Sequence, residues 1–120
     1  MYDQIMRLDQ KIRFVVIVDM EGRKMSGGQR DGISNHLSPE DERQSIRHAI
    51  DAWKLRMHFT GSIGKGKYAF AEYEKIKRIT IPVDDKHLIY MTVEVDADHT
   101  KIIDEILSEI HALCITSMVK

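Results

Sequence analysis

Two segments of the chain, Phe14-Val15-Val16-Ile17-Val18 and Leu88–Val95, are strand-length and apolar with almost no alternation. Successive side chains of a strand point to opposite faces, so a strand that is apolar throughout must be covered on both sides. Each segment therefore belongs in the middle of a sheet with helices on its faces. The chain has 120 residues, which is room for one domain, residues 1–120, and no second. A chain of this size buries roughly two-thirds of the surface it exposes when unfolded, enough for a core without covalent staples.

The remaining periodicities supply the other elements. Tyr2, Ile5, Leu8 and Ile12 recur at helical spacing and predict a short amphipathic helix over residues 1–12. Asp19 to Gly22 is a turn, and Arg23–Gly27 returns as the second arm of a hairpin. Gly27, Gly28, Gly32 and Asn35 mark a loop. Ser38-Pro39-Glu40-Asp41 then opens a helix: a capping hydroxyl, a proline at the first helical position, and two acids at the positive end of the dipole. That helix should run to about Phe59, with Ile46, Ala49, Ile50, Trp53 and Met57 as its core stripe.

The same helix carries a second apolar cluster. Ala52, Leu55 and Phe59, with His48 beside them, fall on roughly the opposite side, separated from the first stripe by Arg43, Arg47, Asp51 and Lys54. A helix inside a single domain needs one buried face, so the second asks for another partner.

Beyond the glycines at 61, 64 and 66, Tyr68–Tyr73 alternates as a strand and turns at Glu74-Lys75 into Ile76–Val83. There Ile79, Ile81 and Val83 share a face, and Pro82 sits at the strand's end. Asp96 or Asp98 caps a last helix whose stripe is Ile102, Ile103, Ile106, Leu107, Ile110, Leu113 and Cys114. The order α-β-β-α-β-β-β-α gives an α+β fold. Its three later strands form an antiparallel meander, and the two most apolar strands sit side by side, for a sheet order of 2-1-5-4-3.

Charge and cysteine content narrow the function classes. Eighteen basic against nineteen acidic residues offer no surplus for nucleic acid or for an anionic membrane surface. The longest apolar run, Phe14–Val18, falls far short of the ~20 residues that span a bilayer. The amino-terminal segment, with Asp3 and Arg7, lacks the apolar core of a signal peptide, so a cytoplasmic protein is expected. A single cysteine, Cys114, excludes an internal disulfide and paired-cysteine zinc sites.

No motif carries a reaction. Gly61-Ser62-Ile63-Gly64-Lys65-Gly66-Lys67 has the glycine and lysine spacing of a phosphate-binding P-loop, but Tyr68 stands where the magnesium-binding hydroxyl is needed. It also follows a helix and starts a strand, the reverse of the required context. The six histidines include no pair at the i, i+4 spacing that aims two imidazoles at one metal, and Asp96-Ala97-Asp98-His99 reads as a capped strand-to-helix turn. Lys75, Lys77 and Arg78, with Lys65 and Lys67, read as a solvated strand edge that discourages pairing. Neither a catalytic residue, a cofactor site nor a metal site is expected.

The element order, the hairpin Phe14–Arg23 and the long helix after a glycine loop resemble the roadblock/dynein light chain family and its longin and profilin-like relatives, over roughly residues 3–110. Arg13-Phe14 with Gly22, Ser26-Gly27-Gly28, Glu42-Arg43-Gln44 and Ile79-Thr80-Ile81-Pro82 resemble in particular a group of short archaeal proteins of that fold. The resemblance implies a non-enzymatic scaffold or regulatory subunit that dimerises by packing its long middle helices and joining its sheets, and a small GTPase as a partner. The dimer face expected here is His48, Ala52, Leu55 and Phe59. The alternative from another class is a small-molecule sensor, with Tyr90, Met91 and Tyr68 enclosing a ligand under the Gly27–Leu37 loop.

Overall fold

The computed structural model describes residues 2–118, with side chains described through residue 112. In chain order the elements are α1 (Tyr2–Met6), β1 (Ile12–Asp19), β2 (Lys24–Gln29), α2 (Pro39–Met57), α3 (Thr60–Ile63), β3 (Ala69–Glu72), β4 (Ile76–Asp84), β5 (His87–Glu94) and α4 (His99–Met118). The strands form one antiparallel sheet in the order β2-β1-β5-β4-β3. The two most apolar strands, β1 and β5, are neighbours, as their double-sided covering requires.

Alternation divides the core in two. Val15 and Ile17 of β1, Ile79, Ile81 and Val83 of β4, and Ile89, Met91 and Val93 of β5 face α1 and α4, where Ile5, Ile102, Ile103 and Ile106 meet them. Phe14, Val16 and Val18, with Leu88 and Tyr90, face α2 and receive Ile46, Ala49, Ile50 and Trp53. Each fully buried side chain of this size contributes roughly 1.5–3 kcal/mol from leaving water, so the paired cores make the sheet the rigid base for everything on its edges. Among the described residues, no helix is long and apolar enough to cross a membrane.

The helix boundaries obey local chemistry. Ser38 Oγ accepts the Asp41 N–H at 3.1 Å and Pro39 is the first helical residue of α2, while Asp98 Oδ1 accepts the Lys101 N–H at 3.1 Å at the start of α4. The first helix is shorter than the 1–12 expected. It ends at Met6 because the Arg30 side chain collects the carbonyls of Met6, Asp9 and Ile12 at 2.6–2.9 Å, drawing the chain out of helical geometry and into β1. α2 ends at Met57 rather than Phe59, and the chain re-forms a single turn, α3, before Gly64 breaks it with φ of 89°. Met57, expected in the core stripe, is 41% exposed. Leu113 and Cys114 lie outside the described side chains.

Pro82 lies inside β4, two residues before its end, and not at its terminus. β3 pairs with β4 only as far as Thr80, so Pro82 falls where β4 has β5 as its single neighbour and a missing donor is tolerated. A register shift follows it, between Pro82 and Asp84.

Candidate interaction surface

At 100° per residue His48, Ala52, Leu55 and Phe59 fall within an arc of about 60° along α2 and its exit, opposite the buried stripe. Leu55 is 59% exposed and Phe59 52%; His48 is exposed and Ala52 half-buried. The four do not form one flat patch. His48 and Ala52 line a cleft between α2 and β3, while Leu55 and Phe59 stand free toward the α2 exit.

The ridge opens a stretch of chain rich in exposed apolar side chains. Among the described residues nine large hydrophobic side chains are exposed, and seven of them lie between Leu55 and Tyr73: Leu55, Met57, Phe59, Ile63, Tyr68, Phe70 and Tyr73. That stretch is one continuous piece of chain, from the end of α2 through α3 to β3. These side chains do not share one face: Met57 lies beside Trp53 and Met20, and Tyr68 and Phe70 lie against α4 beside His99 and Ile103, so on the outer face of α2 the exposed apolar pair is Leu55 and Phe59.

The two edges of the sheet differ. β2 bears Lys24 and Met25, and its register with β1 shifts so that Met25 is an extra, unpaired residue; a bulge and a lysine are standard protections against further pairing. β3 pairs in unbroken register with β4 and carries Ala69, Phe70 and Ala71, with neither proline, lysine nor bulge inside the strand. Its outer edge, four residues long and guarded only by that shortness and Glu72, is the less protected one and borders α2 across the cleft.

Behind the ridge a hydroxyl relay joins helix to sheet. Tyr90 Oη lies 2.7 Å from Ser45 Oγ, and Ser45 Oγ accepts from Arg78 Nη1 at 3.1 Å, with His48 Nδ1 3.4 Å from Arg78 Nη2. Burial beneath α2 raises the Tyr90 pKa above the ordinary phenol value, outweighing the Ser45 bond and the Arg78 charge, so the hydroxyl stays protonated. Arg78, expected on a solvated basic edge, instead reaches Ser45 beneath α2, and Thr80 is buried beside it. Their signal was present: with Ile79, Ile81 and Val83 on one face, Arg78 and Thr80 must face α2.

Other sequence candidates separate. Tyr90 and Met91 are buried on opposite faces of the sheet and Tyr68 is 50% exposed at the β3 end, so the three do not enclose a ligand. The 61–67 segment is the α3 turn plus a loop in which Gly66 crosses Trp53; a Cβ there would meet the indole at 3.2 Å. Lys77 is a correction to the solvated-edge reading of the basic residues. It is 7% exposed, donating to the Ala97 carbonyl at 2.8 Å and lying 3.0 Å from His99 Nδ1, whose ring stacks on Phe70. No group of three or more histidine, cysteine, aspartate or glutamate side chains among the described residues is placed to hold a metal ion.

Comparison with known proteins gives matches of structure only. No family model matches the chain, and no curated protein matches it by sequence. Among solved structures it is similar to a roadblock/LC7 domain from Streptomyces avermitilis, at a TM-score of 0.71 and 11% identity, over 98% of this chain and 94% of that one. It is similar to the gliding protein MglB from Thermus thermophilus, at 0.71 and 11%, over 91% and 81%. Profilin IA of Acanthamoeba castellanii matches at 0.63 and 8%, over 97% and 95%. With the sheet order, the two-faced helix layers and these likenesses together, the chain has the five-stranded α+β fold of roadblock/LC7 domains and profilins.

Proposed function

We propose that this protein is a non-catalytic scaffold or regulatory subunit that works as a homodimer, formed through the α2 ridge of His48, Ala52, Leu55 and Phe59 and the free edge of β3. The observation that carries this is the exposed apolar pair Leu55 and Phe59, continued by His48 and Ala52, on the face of α2 that borders the edge strand β3. A two-fold axis at that place would bury the ridge against its own copy and let two β3 strands complete each other's hydrogen bonds. The near-zero net charge does little to oppose self-association. One solved MglB of the same fold is described in a tetrameric arrangement, which supports assembly as a habit of the fold. Sedimentation velocity at tens of micromolar tests the reading: a dimer for the wild type and a monomer for Phe59→Asp support it, and a wild-type monomer overturns it.

A small GTPase as the partner of that dimer rests on the roadblock resemblance. Native-cytosol pull-down with the purified protein, followed by mass spectrometry and titration of the recovered GTPase in both nucleotide states, should give saturable binding. Recovery of no GTPase would remove this part and leave the dimer standing.

A further inference from the structure

We propose that the cleft between α2 and β3 is a binding site for a small oxyanion of the phosphate or sulfate class. Its polar lining consists of Arg56 and Arg78, with His48 and Thr80; four alanines and Phe70 make up the rest of the wall. No carboxylate lines it. Among the described residues neither arginine has an acidic side chain within ion-pair distance: Arg78 is held by Ser45 and His48, and Arg56 lies 6.0 Å from the centre of the Trp53 ring.

Two arginines that line one apolar-walled cleft without a counter-charge give it a positive field, which the low-polarity walls concentrate. Lys11, Arg13 and Arg43, by contrast, are each paired with a carboxylate, from Asp96, Glu94 and Glu40. The guanidinium fork matches a tetrahedral oxyanion, and the Thr80 hydroxyl is a further donor. The Tyr90–Ser45–Arg78 relay fixes one guanidinium in place before any anion arrives, which lowers the ordering cost of binding.

Size selects the ligand class. The cleft has a volume of about 80 Å³. Sites for nucleotides and other metabolites run to roughly 300–1,000 Å³, whereas a liquid water takes about 30 Å³, so the space fits a phosphate or sulfate group and excludes a nucleoside. The lining comes from one copy of the chain, but His48 and Ala52 also belong to the proposed dimer face, so the titration uses the full chain carrying Leu55→Asp, which keeps the cleft open.

The test is an NMR titration of that Leu55→Asp chain at pH 7 with sodium phosphate, then with sodium sulfate, at ionic strength held constant with sodium chloride. The expected result is saturable shifts confined to Ala52, Ala71, Arg78 and their neighbours, for both oxyanions. Arg78→Gln and the exposed Arg56→Gln should each weaken binding about tenfold or more, the loss of one charge-assisted contact. Arg56→Gln removes no buried contact and keeps the test meaningful if Arg78→Gln fails to fold. Non-saturable shifts spread over surface lysines, or an affinity unchanged in the folded variants, would overturn the proposal.

Discussion

Tyr90 is 2% exposed beneath α2, and its hydroxyl reaches Ser45 where an apolar residue would simply fill space. Tyr90→Phe should therefore cost about 1 kcal/mol near neutral pH, the net worth of one hydrogen bond, measured by urea unfolding. The pH dependence follows from the raised pKa. The folded value exceeds the unfolded one because burial disfavours the phenolate, so this contribution is complete below about pH 10 and is lost as pH rises through the folded value. The gap between wild type and Tyr90→Phe should narrow at pH 11 relative to pH 8; a gap that widens would contradict the burial argument. Single residues were where the sequence was least legible. Lys77 and Arg78 are adjacent and look equally like surface cations, yet one enters the α4 side of the sheet and the other the α2 side. Strand alternation could have assigned their faces, but not the buried partners, which come from residues 20 to 33 positions away.

At the scale of elements, amphipathic periodicity recovered both long helices and all five strands, because burial on one face or both is written in the residues themselves. The ends were less legible. α1 stops at Met6 through the distant Arg30, and no local pattern in residues 1–12 announces that. The edge strands were legible as strands while their different protection was not, since a bulge exists only in the pairing. β2 approaches β1 so closely that a Cβ at Gly27, where φ is 121°, would overlap the Val15 carbonyl oxygen, whereas a Cβ at Gly28 meets nothing within 4 Å. Gly27→Ala should accordingly destabilise by upwards of about 2 kcal/mol, and Gly28→Ala by less than about 0.5 kcal/mol. Urea midpoints of the two variants check this, and equal effects would mean that β2 does not lie where it is described.

For the molecule as a whole, the sheet order and the α+β class followed from two doubly apolar strands and short connections. The proposed dimer face was legible only in part. The ridge on α2 could be read from helical spacing, but the edge strand beside it, β3, is placed there only by its pairing with β4. Met25 is equally apolar and 58% exposed, but it lies on the protected edge and serves as the control. Leu55 and Met25 are both on the surface, so replacing either by aspartate should leave the folded chain intact. The most direct test is light scattering at tens of micromolar on the wild type, Leu55→Asp and Met25→Asp. The account predicts twice the chain mass for the wild type and Met25→Asp, and the mass of a single chain for Leu55→Asp. A monomeric wild type, or a dimer that Met25→Asp breaks and Leu55→Asp does not, would contradict it.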